Sequence, residues 1–397
     1  MRDSFLSLAD LFPPERFGGS ERVILELSRA LVRRECHVGV LAGGPHSCQP
    51  DPAAEVPIWR YRVRTSPLPL LFLTSCRGLR AMHELPIVGT EGALLLHHPL
   101  SGWGALRAGH GRLAVPIGFF YGAIDEEWAW HWRGVRRWGS RGLVSPALVW
   151  MLPPLLRAVQ RAMLQRARAI IVLGSYTERL VRERVPQATV SVVPPGVDLQ
   201  RFSPAPDKAD AKRKLGFDPR ADIVLSVRRL VPRMGLSTLL EAVWILQRDR
   251  PSVRLVLVGT GEMAPRLMRE AASLGIADRL TLAGHVSDVD LVDYYRAADV
   301  FVLPSDALEG FGLVTLEALA SGVPVVGTDV GETPSIIAGS TELGRLVTHG
   351  DSRAMAAACA EVLEVGPQAE ACRNFAGRFS WDAMAAAVQS IASSAAS

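Results

Sequence analysis

Short apolar runs alternate with longer amphipathic segments along most of the chain. This pattern predicts strands at residues 4–8, 38–42, 94–97, 115–120 and 169–173, and again at residues 223–227, 253–258, 280–283, 300–303 and 324–327. The segment from Leu236 to Leu246 has apolar residues at helical spacing and predicts a helix. Because parallel strands are buried on both faces and are joined by helices, the pattern predicts an α/β fold with two Rossmann-like domains.

A turn-forming segment, Val193-Pro194-Pro195-Gly196-Val197-Asp198, lies between the two sets of strands. It predicts an N-terminal domain at residues 1–195 and a C-terminal domain at residues 196–379. The residues from Ser380 to Ser393 then have the pattern of one more amphipathic helix. We expect residues 380–397 to form a C-terminal helix and tail that cross back to the first domain.

Charge and cysteine content exclude several classes of protein. The 397 residues carry 44 Lys and Arg against 40 Asp and Glu, too small an excess for a strongly basic nucleic-acid binder, so no nucleic-acid partner is expected. Five cysteines without a CxxC pair argue against a disulfide framework or a zinc site. The longest uncharged apolar stretch has 15 residues, short of the roughly 20 that span a bilayer. Without a secretory signal pattern at the N-terminus, we expect a cytoplasmic protein.

Two glycine-containing loops are candidates for binding an anion at a helix N-terminus. Gly18-Gly19-Ser20-Glu21 follows the first predicted strand, and Glu309-Gly310-Phe311-Gly312 follows the strand at 300–303. Glycine lets the backbone approach a ligand closely, and free N–H groups at a helix start suit a phosphate. The alternative for the first loop is a plain turn with Ser20 as the N-cap of the helix. The alternative for the second is that Glu309 is an exposed loop acid and that Glu317 lies on the helix surface.

The sequence from Glu309 to Val326 closely resembles the E-x7-E signature of glycosyltransferase family 4, whose members are retaining enzymes with the GT-B fold. The segment from Val193 to Asp198, with Phe202 and Pro204, and the segment from Leu255 to Gly261 are also similar to that family. The resemblance implies two Rossmann-like domains facing across a cleft. It implies sugar transfer from a nucleotide-diphosphate donor to a hydroxyl of a glycan or lipid-linked acceptor, in bacterial polysaccharide or glycolipid synthesis.

The resemblance also implies roles for single residues. Glu309 would lie beside the donor sugar as a catalytic residue. Glu317 would bind the nucleotide ribose, because a carboxylate accepts strong hydrogen bonds from hydroxyl groups. The donor would also meet backbone and glycine positions at Gly18, Gly19, Gly259, Gly261, Phe311, Gly312 and Leu313.

The family uses an arginine followed closely by a lysine to neutralise the leaving diphosphate. Arg229 stands at the arginine position, but Met234 stands at the lysine position. Arg233 is the candidate replacement, because a guanidinium forks onto phosphate oxygens. The alternative is that Arg233 is solvated and that the leaving group depends on Arg229 and helix N–H groups.

Three aromatic residues at strand ends are candidates for the acceptor side. His97 and His98 end the strand at 94–97, at the edge where open α/β sheets bind ligands, and His98 is a catalytic candidate. Tyr121 stands where the family often has a histidine near the donor sugar. The alternative for either histidine is a backbone cap. The acidic residues from Asp125 to Glu127 are expected in a solvated loop, and the alternative is that one of them lies near the acceptor.

No DxD-type acidic pair stands at a strand end with metal-ligand partners. We therefore expect no catalytic metal and no cofactor, with cations and helix dipoles stabilising the leaving diphosphate. Two other functions stay open. One is a nucleotide-sugar 2-epimerase of the same fold, and the other is a non-catalytic sugar-binding protein, which the methionine at the lysine position favours.

The segment between Trp128 and Thr177 contains no acidic residue and several tryptophans. Its arginines are Arg133, Arg136, Arg137, Arg141, Arg157, Arg161, Arg166 and Arg168. In the predicted helix at 152–168 one face is expected to hold Leu155, Leu156, Val159 and Met163, and another to hold Arg157, Arg161 and Arg168. The pattern favours contact of the segment from Arg133 to Arg168 with an anionic membrane surface, on the inner face of the membrane. A solvated helix is the alternative.

Overall fold

The computed structural model describes residues 4–12, 18–44, 55–63, 92–112, 114–137 and 146–396, with the backbone alone described at residues 112, 131–137 and 146–150. The chain forms two compact units. The first takes in Met1–Trp128, Val144–Gly196 and Ser380–Ser397, and the second takes in Ala129–Leu143 and Val197–Phe379. Each unit is built on one parallel sheet, which confirms the two predicted Rossmann-like folds.

Over the described residues, the first unit has seven strands in the order β3-β2-β1-β4-β5-β6-β7. They are β1 Ser4–Leu11, β2 His37–Gly44, β3 Ile58–Arg62, β4 Ala93–Leu96, β5 Val115–Phe120, β6 Ala169–Val172 and β7 Val190–Val192. The helices between them are α1 Gly19–Arg33, α2 Pro99–Ala108, α3 Ile124–Arg137, α4 Pro146–Leu164 and α5 Ser175–Arg184. The strand order reverses between β1 and β4, so the carboxyl ends of these two strands form the sheet's ligand-binding edge.

The second unit has six strands within the described residues, in the order β10-β9-β8-β11-β12-β13. They are β8 Ile223–Val227, β9 Arg254–Val258, β10 Leu280–Gly284, β11 Val300–Leu303, β12 Val325–Thr328 and β13 Gly344–Val347. The helices are α6 Lys208–Lys214, α7 Leu236–Leu246, α8 Ala264–Ser273, α9 Leu291–Ala297, α10 Leu313–Ala320, α11 Thr333–Ile337, α12 Ser352–Val365 and α13 Ala369–Ala376. Here the order reverses between β8 and β11, which places the ligand-binding edge at their carboxyl ends.

Apolar strand residues fill the core of each unit. In the first, Leu6 and Leu94 pack with Met163 of α4, and all three are at most 1% exposed. In the second, Val224 and Val302 pack with helix residues such as Leu239 of α7. Burial of these continuous apolar runs aligns the strands, so that the loops carrying polar residues collect at one edge of each sheet.

The last helix, α14 Trp381–Ala396, belongs to the first unit, as the amphipathic pattern predicts. Arg33 of α1 donates to Asp382 at 3.1 Å, and Gln389 donates to the Cys36 sulfur at 3.0 Å. Buried Met384 and Val388 form its apolar face. The chain therefore leaves the first unit after Gly196 and re-enters it at Ser380.

Three strands of the structure have no counterpart among the predicted strands. They are β3, β7 and β13, and each lies at an edge of its sheet. An edge strand is half solvated, so polar residues interrupt its apolar run: β3 contains Arg60 and Arg62, and β13 contains Arg345. Among the described strands, the apolar-run criterion therefore finds the central strands and the edge strand β10, and it misses the other three edges.

Candidate functional site

Glu309 lies in the loop between β11 and α10, at the ligand-binding edge of the second sheet. Leu308 has a φ of 59° and Gly312, the N-cap of α10, has a φ of 78°. Both values are in the left-handed region, which glycine adopts freely and other residues adopt seldom. The turn starts α10 at Leu313 with its free N–H groups beside the loop, where the positive helix end favours an anion.

The Glu309 carboxylate is held by two donors on neighbouring loops. Its Oε2 accepts a hydrogen bond of 2.8 Å from Arg228 Nη2 and one of 2.7 Å from Ser305 Oγ. The Glu309 side chain is 14% exposed and the Arg228 side chain 5%. Sequence reasoning missed both donors, although Arg228 directly follows central strand β8 and Ser305 closely follows β11. Glu309 is thus no solvated loop acid.

Arg228 lies at the centre of a positively charged cluster. Burial lowers the pKa of its guanidinium, attraction to Glu309 opposes this, and the like charges of Arg233 and Arg229 lower it further. Burial also raises the pKa of Asp306, which lies within range of the Arg228 charge. Arg228 therefore binds Glu309 while Arg229 and Arg233 lie within electrostatic range of it, and the surplus positive charge beside the start of α10 suits a diphosphate.

Arg229, Arg233 and Met234 occupy different environments. Arg229 is exposed. Arg233 Nη1 donates to the carbonyl oxygens of Leu308 at 3.1 Å and Ala307 at 3.4 Å, so it supports the loop before Glu309. Met234 is 6% exposed and packs in the hydrophobic core. The side chain at the family's lysine position therefore points inward, and the notion of a solvated Arg233 is wrong because its guanidinium binds two carbonyls.

Glu317 lies in the second turn of α10 and is 4% exposed. Tyr295 Oη donates to its Oε2 at 2.8 Å. The Tyr295 ring is fully buried and packs edge-on against Phe202, with 5.7 Å between ring centroids. The alternative of a helix-surface glutamate is therefore wrong. Sequence reasoning missed Tyr295, and the predicted binding of ribose by Glu317 stays a prediction.

Gly259 and Gly261 are required by close packing of backbone. A Cβ at Gly259 would lie 2.1 Å from the carbonyl oxygen of Arg228, and one at Gly261 would lie 2.2 Å from that of Leu230. The loop after β9 can therefore lie directly against the loop that carries Arg228. A donor contact by either glycine stays a prediction, as do those at Phe311, Gly312 and Leu313.

In the first unit, polar groups meet at the carboxyl ends of β1 and β4. The Asp10 N–H donates to His98 Nδ1 at 3.0 Å, and His98 Nε2 lies 3.2 Å from Ser20 Oγ. Because Nδ1 accepts, the proton of neutral His98 is on Nε2 and is donated to Ser20. Ser20 Oγ donates in turn to Glu21 Oε2 at 3.1 Å, and Glu21 is 1% exposed. His98, a catalytic candidate, is thus fixed in one tautomer.

The start of α1 contradicts one of the two predictions made for it, the alternative in which Ser20 is the N-cap. Its N-cap is Gly18, so Ser20 lies inside the first turn and is not the cap. A Cβ at Gly18 would lie 2.9 Å from Glu21 Oε2, while one at Gly19 would have nothing within 4 Å. The space beside Gly19 leaves room for a ligand, and its predicted contact with a diphosphate stays a prediction.

His97 and Tyr121 are buried side by side in the first unit. His97 Nδ1 lies 2.6 Å from Tyr121 Oη, and Nε2 lies 3.2 Å from Ser7 Oγ. Burial, with the neighbouring His98, holds the pKa of His97 well below its usual value, and burial raises the pKa of Tyr121. His97 is therefore neutral with both ring nitrogens engaged. The acceptor-side roles of His97 and Tyr121 stay predictions.

The acidic residues that follow Tyr121 begin a helix instead of a solvated loop. Asp125 is 7% exposed and accepts from Arg184 Nη1 at 2.8 Å, and Glu126 accepts from Arg184 Nη2 at 2.9 Å. The acids lie in the first turn of α3 and Arg184 in the last turn of α5, where the helix dipoles favour these charges. The expectation of a solvated loop is therefore wrong for Asp125.

Helix α4 exposes apolar and basic side chains together. Met151 is 70% exposed and Leu155 53%, and Arg157 and Arg161 of the same helix are exposed as well. The opposite side contributes to the core with Leu156, Val159 and Met163. Placing Leu155 on the core face is wrong, because its side chain is 53% exposed.

Part of the predicted basic segment lies outside what the structure describes. That part is Arg141, and the side chains of Arg133, Arg136 and Arg137. Among the described residues, no helix combines the length and apolar character needed to cross a membrane. Nor does any group of three His, Cys, Asp or Glu side chains in that part of the chain have the arrangement of a metal site. The expectation of a reaction without metal or cofactor stays a prediction.

Two family models match the chain, one in each half. The model for Glycosyltransferase Family 4 matches residues 17–201, and the model for Glycosyl transferases group 1 matches residues 207–379. The two matched ranges include the loops with Gly18, His98, Arg228 and Glu309.

Several curated proteins are similar in sequence. The D-inositol 3-phosphate glycosyltransferase of Segniliparus rotundus is 39% identical over 204 residues, which are 49% of this chain and 45% of that protein. That of Streptomyces scabiei is 30% identical over 338 residues, 78% of this chain and 73% of that protein. A GDP-mannose-dependent alpha-(1-6)-phosphatidylinositol monomannoside mannosyltransferase of Mycolicibacterium smegmatis is 33% identical over 256 residues, 61% and 66% of the two chains. The first alignment spans less than half of the relative's length.

Solved structures show the same fold. Sucrose-phosphate synthase from Thermosynechococcus elongatus has a TM-score of 0.80 at 23% identity, over 98% of both chains. Anabaena HepE in complex with UDP and glucose has a TM-score of 0.73 at 17% identity, over 97% of this chain and 98% of that one. These likenesses confirm the predicted GT-B fold.

Proposed function

Because this chain belongs to the glycosyltransferases of group 1 and family 4, we propose that it transfers a sugar from a nucleotide-diphosphate donor to an acceptor hydroxyl with retention of configuration. The observation that carries the proposal is the cluster around Glu309. There a largely buried carboxylate bound by Arg228, the charges of Arg229 and Arg233 nearby, and the start of α10 lie at the carboxyl ends of β8 and β11. A sugar and a diphosphate need one carboxylate and surplus positive charge at the same place.

The charges suit the transition state of this reaction. As the bond between the anomeric carbon and the phosphate oxygen breaks, negative charge grows on the diphosphate, and Arg229 and the N–H groups at the start of α10 stabilise it. The acceptor oxygen forms its bond to the same face of that carbon, and the departing phosphate takes the acceptor proton. Glu309 accepts hydrogen bonds from the donor sugar. Glu317, held by Tyr295, accepts hydrogen bonds from the ribose.

The acceptor is a glycan or a lipid-linked molecule in polysaccharide or glycolipid synthesis. The names of the relatives support this class, since one acts on an inositol phosphate and another on a phosphatidylinositol mannoside. The acceptor hydroxyl needs a positioning group, for which His98 is the candidate in the first unit. His97 and Tyr121, which lie 2.6 Å apart, are the further candidates on the acceptor side.

The exposed face of α4 is proposed to bring the enzyme to the inner face of an anionic membrane. Met151 and Leu155 supply apolar area, and Arg157 and Arg161 supply charge beside it. Each cation near such a surface contributes about 1 kcal/mol of attraction. A lipid-linked acceptor would be met there.

Purified protein tests the transfer. It is incubated with UDP-glucose, UDP-N-acetylglucosamine or GDP-mannose and with inositol phosphate or phosphatidylinositol, with and without EDTA. We expect a glycosylated product with one donor, unchanged by EDTA, whose anomeric coupling by NMR matches that of the donor. Isomerisation of the donor sugar at C2 would support the epimerase, and binding without turnover would support the sugar-binding protein.

Cosedimentation with vesicles tests the membrane proposal. We expect recovery with anionic vesicles that falls at high salt and falls in Arg157→Glu with Arg161→Glu, and in Arg133→Glu with Arg136→Glu and Arg137→Glu. Arg182→Glu, on the surface of α5, is the matched control. Equal recovery with neutral and anionic vesicles would leave the solvated-helix alternative.

A further inference from the structure

The guanidinium of Arg228 is buried at a place where burial of a charge is costly. Its side chain is 5% exposed, and its Nε is buried with no hydrogen-bond partner among the described residues. Like charges on Arg229 and Arg233 add repulsion. A buried charge with an unpaired donor is uncommon in proteins and is found where function requires it.

The bonds that Arg228 does make connect two loops. Nη2 donates to Glu309 Oε2 at 2.8 Å, and Nη1 donates to the Met234 carbonyl oxygen at 3.3 Å. The loop with Met234 follows β8 and the loop with Glu309 follows β11, the two strands between which the order of the sheet reverses. The guanidinium thus ties the carboxylate to the loop in which the family's lysine is replaced by an inward-pointing methionine.

The two oxygens of Glu309 are unequal as a result. Oε2 accepts from both Arg228 and Ser305, which uses its hydrogen-bonding capacity. Oε1 lies 3.6 Å from where a Cβ on Gly312 would stand, beside the start of α10. Oε1 is therefore the oxygen that faces the anion-binding helix end.

We propose that Arg228 is a positioning residue that acts through Glu309: it holds Oε2 so that Oε1 is directed at the donor sugar. This inference rests on the proposed sugar transfer. Arg233, which donates to the carbonyls of Ala307 and Leu308, supports the same loop through its backbone. Arg228 differs because it binds the carboxylate itself.

A double-variant cycle tests the inference with Arg228→Gln, Glu309→Gln and the two combined. Because misplacement of a catalytic group by about 1 Å can cost 100-fold, we expect Arg228→Gln to lower kcat by about 10- to 100-fold, with the donor KM changed by less than about threefold. In the Glu309→Gln background the same change should add less than about twofold, since the group it positions has lost its charge. Arg228→Lys should recover part of kcat.

The matched control is Arg345→Gln, which removes an exposed arginine–carboxylate bond of 2.8 Å in the same unit, to Glu361, and should leave kcat unchanged. The inference would be overturned if the two single-variant decreases in kcat multiplied in the double variant. It would also be overturned if Arg228→Gln raised the donor KM and left kcat unchanged. A crystal structure of Arg228→Gln gives a readout without turnover: we expect Glu309 to adopt another rotamer, and an unmoved carboxylate would count against the role of Arg228. Absence of transfer by the wild-type protein would instead count against the proposed function.

Discussion

Two buried arginine–carboxylate pairs, one in each unit, have nearly the same local geometry. Arg184 binds Asp125 and Arg228 binds Glu309, each at 2.8 Å and each with a guanidinium that is 5% exposed. Their surroundings differ. Arg184 joins the ends of two helices and faces a second carboxylate, Glu126. Arg228 joins two loops at the ligand-binding edge of a sheet, with two more arginines nearby.

The difference shows that a buried ion pair does not by itself mark a functional site. Around Arg184 one cation meets two acids at favourable helix ends, so the charges are satisfied within the protein. Around Arg228 the positive charge exceeds the negative charge, and a free helix start adds to it. The second arrangement leaves surplus positive charge, which would suit the diphosphate of the proposed donor.

The largest effect on stability is expected from Arg184→Met. It should lower the free energy of unfolding by about 3–5 kcal/mol in urea, because Asp125 is left buried without a counter-charge. Arg182→Met, which removes an exposed pair with Glu178 on the same helix, should cost less than about 0.5 kcal/mol. A similar small cost for both variants would contradict the structural role assigned to Arg184.

The largest effect on turnover is expected from Glu309→Gln. The amide keeps an oxygen for Arg228 and Ser305 but removes the negative charge near the donor sugar, so kcat should fall by about 100-fold or more. The free energy of unfolding, measured in urea, should change far less than in Arg184→Met. Glu361→Gln, at an exposed pair of the same unit, is the control. Unchanged turnover in Glu309→Gln would contradict the functional role that distinguishes the Arg228–Glu309 pair from the Arg184–Asp125 pair.

A smaller effect is expected for the second glutamate of the motif. Glu317→Ala should weaken nucleoside-diphosphate binding by about 1–3 kcal/mol, measured by calorimetry, because a charged acceptor for ribose is lost. Tyr295→Phe keeps the carboxylate and removes its 2.8 Å partner, so the loss should be about 0.5–1.5 kcal/mol. Unchanged affinity in Glu317→Ala would defeat the ribose assignment.

The smallest effect concerns acid stability in the first unit. Burial depresses the pKa of His97, so this residue contributes stability above its unfolded pKa near 6.5 that is lost as the pH falls toward the folded pKa. The wild type should therefore lose stability below pH 6.5 by at most about 1.4 kcal/mol per pH unit from this group. His97→Gln has nothing to titrate there, so its urea midpoint should fall less steeply. If the urea midpoints of the wild type and His97→Gln fell in parallel with pH, His97 would not be the group that causes the loss of stability.

The sequence alone was sufficient for the features that depend on neighbours in the chain. Central strands are continuous apolar runs, and the loop from Glu309 to Gly312 with its helix is one contiguous motif, so both were predicted. Edge strands such as Ile58–Arg62 were not predicted, because solvent-facing polar residues interrupt their apolar run. The C-terminal helix was predicted because its amphipathic pattern needs a partner surface.

Only the tertiary structure decided which side chains meet. Arg228 and Glu309 are 81 residues apart, and His98 and Ser20 are 78 apart, so no local pattern connects them. Burial was also decided by the tertiary structure. Met234 points into the core and Asp125 is buried and paired with Arg184, although the sequence around each position predicts a loop. Parallel strands bring distant loops to one edge of a sheet, and the contacts made there depend on strand order and register, which the apolar pattern does not encode.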